Sequence, residues 1–318
     1  MLEAVLQRRV LFVTGKGGVG KTAVALALAV GAARARRRVL LVEVNPFGRV
    51  GEYLGGCTLT SEPVEVATNL SVAGITPAVI MEDFVLGILR VRALARRLLE
   101  SSTFRVVAAA APGIEEFLTL VRIAAWEDER VGLKRRRHRF DLIVVDAPAT
   151  GHSVPLLATP GTLLRMLPFG PLAASARALA LLLADRERAA VAIVTRAEEM
   201  AVNETIDLAT ALMRIGVAIL PPICNAVPPL RFTRDESRRL NAEPPDVPES
   251  LRPLVAAGRF ALARQRLADR QVHRLGHALA TRPHTLPEIT TSRFDSAAIA
   301  QLAEALERPA RSRPRYAS

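Results

Sequence analysis

The chain has 318 residues, half of them hydrophobic, and a formal charge of +12 at pH 7. That is enough for two average domains, or for one large α/β domain with a sizeable core. Aromatic residues are only 4%, which argues against a base-stacking surface for single strands. The arginines are dispersed and read as a solvated surface, so nucleic acid is not an expected partner.

In chain order, the N-terminus lacks the long apolar stretch of a secretion signal. Val10 to Thr14 reads as a short buried strand entering a glycine-rich loop, and Thr22 to Ala33 as an alanine-rich helix. Arg38 to Val44 is the next strand, so the unit is βαβ and the sheet parallel. Leu70 to Ile75 follows as a strand. Val79 to Trp126 carries apolar residues at helical spacing, among them Ile80, Phe84, Ile88 and Leu89. The basic run Lys134 to Arg139 reads as a solvated loop before a strand at Phe140 to Val145. A helix is expected at Leu163 to Ala184, and strands at Ala190 to Thr195 and Val217 to Ile223. Asn241 to Ser250, with three prolines, reads as a loop. Leu251 to Leu279 is an amphipathic helix, and a weaker strand lies at Thr285 to Glu288. The last helix, around Ile299, Leu302 and Leu306, precedes Arg308, Arg311, Arg313 and Arg315. It reads either as a helix end with a disordered tail or as a contact to anionic lipid.

The expected organisation is one domain over residues 1–308, with helical insertions at roughly 78–130 and 160–188, then a basic tail at 309–318. Cys57 and Cys224 are far apart and form neither a disulfide framework nor a zinc pattern. The longest apolar run, Phe169 to Ala184, is interrupted by Arg177, so no membrane span is expected. The expected setting is cytoplasmic.

Of the 43 Lys+Arg, only Lys16, Lys21 and Lys134 are lysine. Two of them fall within Gly15-Lys16-Gly17-Gly18-Val19-Gly20-Lys21-Thr22. A phosphate site wants a compact ammonium on a flexible stem, whereas arginine serves elsewhere as a generic charge. The stretch fits G-x-x-x-x-G-K-[ST] and sits between a strand and a helix, the context that pattern requires. Backbone N–H groups from Gly17 to Lys21 would cradle phosphates, Lys21 would bridge β- and γ-phosphate oxygens, and Thr22 would hold Mg²⁺. Asp141 to Asp146 is a buried strand ending in a carboxylate. The carboxyl edge of the sheet puts Asp146 near the metal, which it is expected to reach through water.

Lys16 directly after Gly15 resembles the deviant phosphate loop of the ArsA, MinD and ParA class. Ala147-Pro148-Ala149-Thr150-Gly151-His152-Ser153 resembles the second switch of the ArsA and tail-anchored-protein-targeting ATPases, whose Thr-Gly-His ending the ParA and MinD proteins lack. Ala111 to Glu116, Pro160 and Glu198 to Glu204 resemble further segments of that family. The resemblance implies an α/β P-loop NTPase, with a mostly parallel twisted sheet, helices on both faces and a helical subdomain. It implies ATP and Mg as cofactors. It also implies a homodimer in which Lys16 reaches the partner's nucleotide, and an adenine-reading role for Asn225. The expected function is an ATP-hydrolysing switch coupled to an unidentified cargo or membrane-associated partner.

The chain departs from that family at Asn45-Pro46-Phe47-Gly48, where relatives carry D-P-A-H and the aspartate orients the attacking water. An amide can accept a hydrogen bond from water but cannot take its proton. Glu43 lies two residues earlier on the same strand face. It either supplies the missing carboxylate or is a buried, paired acid. Two cysteines cannot form the thiolate cluster of the arsenite-binding branch, so arsenite is not expected as effector, nor is a shared zinc. Met166, Leu167, Phe169 and Leu172 either line a groove for apolar clients or belong to the core. Two other readings stand beside the switch: a ParA/MinD-type partitioning ATPase on a nucleic-acid or membrane surface, and a pseudo-ATPase motivated by Asn45.

Overall fold

The computed structural model describes residues 1–45, 49–76, 79–82, 84–85, 101, 113–132, 137–242, 247–292 and 294–308. Several expectations fall outside them: most of the first helical insertion with Ile88, Leu89, Ala111 and Pro112, the residues Pro46 to Gly48, Lys134, and the basic tail at 309–318.

A short helix α1 (Leu2–Leu6) leads into β1 (Val10–Thr14), α2 (Lys21–Arg34) and β2 (Val39–Val44). Then come α3 (Arg49–Tyr53), the hairpin β3 (Val64–Ala67) and β4 (Leu70–Ile75), and α4 (Ile114–Asp128). A small ladder, β5 (Arg130–Val131) with β6 (Arg137–His138), precedes β7 (Leu142–Asp146). The basic run expected as a loop therefore carries part of a hairpin. The second half contains α5 (Thr150–Met166), α6 (Pro171–Ala184), β8 (Ala189–Arg196), α7 (Glu199–Arg214) and β9 (Ile223–Val227). It closes with α8 (Arg234–Asn241), α9 (Arg252–Ala278), β10 (His284–Pro287) and α10 (Ser296–Glu307).

The main sheet has eight strands in the order β10-β9-β8-β1-β7-β2-β4-β3. Every pairing is parallel except β3 with β4. The central strands are buried on both faces, so they read as unbroken apolar runs rather than alternating ones. Strand alternation divides them between two layers. Leu11, Val13, Leu41 and Val144 pack with α2, α1 and α10. Phe12, Val42 and Val145 pack with α4, α5, α6 and α7. This is the α/β fold with covered faces that the sequence implied.

Three expectations need correction. The strand placed at Val217 to Ile223 lies instead at Ile223–Val227, and Ile219 makes only an isolated bridge to Val191. Pro221 and Pro222 supply no N–H to a ladder, so regular pairing starts after them. The helix at Leu163 to Ala184 is two helices, broken where Gly170 takes φ 97° between Pro168 and Pro171. The lipid reading of the last helix is overturned as well. Ile299, Leu302 and Leu306 are buried against α2, so that apolar face is already covered. Among the described residues no helix is long and apolar enough to cross a membrane.

Candidate functional site

Residues 15–20 connect the carboxyl end of β1 to the first turn of α2. Their path depends on two glycines. Gly15 has φ 147°, and a Cβ there would lie 2.0 Å from the carbonyl oxygen of Val194 on the neighbouring β8. Gly20 caps α2 in the left-handed region at φ 89°, and a Cβ there would meet Asn225 Nδ2 at 2.4 Å. An L side chain at either position would combine backbone strain with overlap. The loop leads into the N-terminus of a 14-residue helix, where the helix dipole favours an anion.

Lys21 Nζ donates to the carbonyl oxygen of Lys16 at 3.0 Å, drawing the ammonium across the loop. Burial lowers its pKa; Asp146 partly opposes that, and Arg49 adds to it. Lys16 Nζ pairs with Glu204 Oε1 on α7 at 2.5 Å. Asn225 on β9 donates from Nδ2 to the Val19 carbonyl at 2.9 Å, so its amide is positioned against the loop.

Asp146 ends β7 beside this loop. It is 6% exposed, its Oδ1 has no hydrogen-bond partner, and Thr22 donates to the carboxylate. Burial pushes its pKa up to about 6; Glu43 adds to that, while Thr22, Lys21 and Arg49 offset it. A buried, under-coordinated carboxylate oxygen next to a threonine hydroxyl fits a hard cation that takes oxygen ligands. Among the described residues no group of three or more His, Cys, Asp or Glu could hold a metal. A cation at this place would therefore complete its shell from phosphates and water, as Mg²⁺ does in phosphoryl-transfer sites.

The structure brings Gly15 to Thr22, Asp146, Glu43 and Asn225 to one end of the sheet. Glu43 is 3% exposed and lies opposite Asp146 in the β2–β7 register. Asn45 is exposed and takes φ 54°, with its N–H bonded to the Ile75 carbonyl at 2.8 Å. Asparagine tolerates that left-handed conformation better than most residues. Two neighbours were given no role in the site by the sequence reading: Glu204, 188 positions from Lys16 and noted only within a family-like segment, and Arg49, which acts on both Lys21 and Asp146. No local pattern marks either as a neighbour of the glycine loop. Met166 and Phe169 are 69% and 85% exposed, so they do not belong to the core.

Ionising Asp146 inside the folded chain is harder than in the unfolded one. Stability therefore falls as pH rises from the ordinary Asp value near 4 to about 6, and the full penalty applies above that. Asp146→Asn should raise the stability of the metal-free protein at pH 8 by up to about 3 kcal/mol, with little effect at pH 4. Urea denaturation in EDTA at both pH values checks this.

The sequence profile of the family described as Anion-transporting ATPase matches residues 8–169. The chain is 28% identical over 245 residues to the arsenical pump-driving ATPase of Escherichia coli, which is 69% of this chain and 39% of that protein. It is 27% identical over 223 residues to ATPase BagA of Mycobacterium tuberculosis, 68% of this chain and 64% of the relative. The chain thus spans less than two thirds of the length of either. The profile match agrees with the resemblance carried by Gly15 to Thr22 and Ala147 to Ser153.

Proposed function

Because the chain belongs to the anion-transporting ATPase family, we propose that it binds ATP with Mg²⁺ and hydrolyses it as a homodimeric switch coupled to a cargo or membrane-associated partner. The observation that carries this reading is the convergence of Lys21, Thr22 and Asp146 on one glycine loop at the carboxyl end of the sheet. Bound Mg²⁺ would supply charge neutralisation on the phosphate oxygens. The loop N–H groups bind and orient the triphosphate tail. Lys21 exchanges the Lys16 carbonyl for phosphate oxygens. Lys16 exchanges Glu204 for the nucleotide of the partner subunit, so closing the dimer requires opening an internal ion pair. The Asn225 amide presents an oxygen and an NH₂ group, which suit adenine rather than guanine.

Hydrolysis is slow in this reading, because Asn45 can position water but cannot accept its proton. The exposed Met166, Leu167 and Phe169 offer a contact for an apolar cargo. Arsenite has no place in it: Cys57 and Cys224 belong to separate hydrophobic clusters, and Cys224 is fully buried. Asn45 also favours a second reading, a nucleotide-binding protein without turnover. Single-turnover assays separate the two, since the switch releases phosphate slowly and the pseudo-ATPase not at all.

Light scattering with and without a non-hydrolysable ATP analogue and Mg²⁺ tests the switch. The wild type should become dimeric with the analogue. Lys16→Ala should stay monomeric while still binding nucleotide. A wild-type protein that remains monomeric at saturating analogue would overturn the dimer mechanism.

A further inference from the structure

Glu43 and Asp146 stand side by side at the carboxyl ends of β2 and β7. The strands are parallel with these two residues in register, and neighbouring strands lie about 4.8 Å apart. Leu41 and Val144, two residues earlier on each strand, face the layer containing α2. Alternation carries Glu43 and Asp146 to the same face, toward the first turn of the helix that bears Thr22. Both are buried, at 3% and 6% exposure. Two carboxylates this close and this deep repel strongly unless a cation lies with them.

Two basic groups act on Asp146. Lys21 directs its ammonium at the Lys16 carbonyl, and the Arg49 side chain is exposed. Asp146 Oδ1 is enclosed and has no hydrogen-bond donor. A nucleotide site with one acid receives its metal together with the phosphates, because a single carboxylate is a weak ligand on its own. Here the protein brings two acids and a hydroxyl.

We propose that Glu43, Asp146 and the Thr22 hydroxyl form a divalent-cation site that fills before nucleotide arrives. The proposal rests on the nucleotide-site reading above and adds an order of binding to it. An all-oxygen donor set selects hard ions such as Mg²⁺ and Mn²⁺ over zinc. A preloaded cation would meet the incoming phosphates already fixed beside the loop, and would cancel the repulsion between the two acids in the resting protein.

The test uses the full chain without nucleotide, titrated with Mn²⁺ and followed by the electron paramagnetic resonance signal of the unbound ion. The wild type should take up one Mn²⁺ per chain, displaceable by Mg²⁺. Glu43→Gln should weaken uptake about tenfold or more, and Glu43→Asp should retain part of it. Mg²⁺ alone should raise the unfolding midpoint of the wild type but not of Glu43→Gln, which also reports whether that variant folds. Wild-type protein that takes up no Mn²⁺, or Glu43→Gln that takes it up like wild type, sinks the proposal. A fluorescent adenine nucleotide added in EDTA keeps the two readings apart. If it binds the wild type while Mn²⁺ does not, only the preloaded site fails. If neither binds, the nucleotide site fails with it.

Discussion

Lys21→Ala should lower ATP turnover by about 10² to 10³-fold while leaving the resting protein at least as stable as wild type. The activity loss follows from removing the ammonium that is held across the loop by the Lys16 carbonyl. The stability half follows from burial. The folded chain holds the Lys21 proton less tightly than the unfolded chain does, chiefly because the ammonium is desolvated. Below the lowered pKa both states are charged, and the folded state carries the whole penalty. That penalty fades only as pH rises from the lowered value toward the ordinary lysine value. At pH 7 alanine therefore removes a destabilising charge. Lys21→Arg should fail as well, because a planar fork does not replace a compact point charge. Phosphate-release assays and thermal melts on the same preparations check both halves. A variant that loses activity and also melts much lower would make Lys21 a structural residue and remove the support it gives to the nucleotide site.

The largest loss of stability is expected at the opposite end of the central strands. Glu127, in the last turn of α4, is 3% exposed. Arg9 donates to Oε1 at 3.0 Å and Arg188 to Oε2 at 2.7 Å. A second Arg9 nitrogen donates to the Glu127 carbonyl at 2.8 Å, and a third to the Phe140 carbonyl at 3.1 Å. Arg9 immediately precedes β1 and Arg188 immediately precedes β8, so one carboxylate ties two central strands to a helix. Burial pushes its pKa up, but Arg188 and Arg9 together outweigh that and hold it below the usual glutamate range. The resulting stability is complete above the ordinary Glu value and is lost as pH falls through the lowered one. Glu127→Ala strands two arginines. Because Arg9 and Arg188 are partly exposed and can rehydrate, the loss should be about 2–3 kcal/mol, at the lower edge of that for a broken buried pair. Urea denaturation at pH 7 should show this difference, and it should shrink at pH 3. Nucleotide binding should persist wherever the variant is folded.

What the sequence made legible follows from the range over which each force acts. The glycine loop and its flanking strand and helix could be read because backbone sterics and apolar runs are local. The strands at Leu70–Ile75 and Ala189–Arg196 were legible for the same reason, as parallel strands buried on both faces. The shift from Val217 to Ile223 was missed because apolar content suggested a strand where two prolines prevent one. The break at Gly170 was missed because Leu and Ala continue on both sides of it. At the site, Asn225 could be placed only by resemblance, and its bond to Val19 spans 206 positions. The Lys16–Glu204 pair had no sequence signal, since any of the chain's acids could have met that lysine. The exposure of Met166 and Phe169 was equally invisible, because apolar residues at helical spacing read the same in a core and on a surface.

The helix that carries Lys21 and Thr22 is also where the first and last described helices come together. Leu2 of α1 and Ala303 of α10 both pack over Gly31 of α2. The helix proposed to grip phosphate at one end is thus clamped at the other by segments about three hundred positions apart. A pull or a docking event at α10 would bear on the footing of that helix, so a handle attached next to α10 would load the proposed nucleotide grip itself.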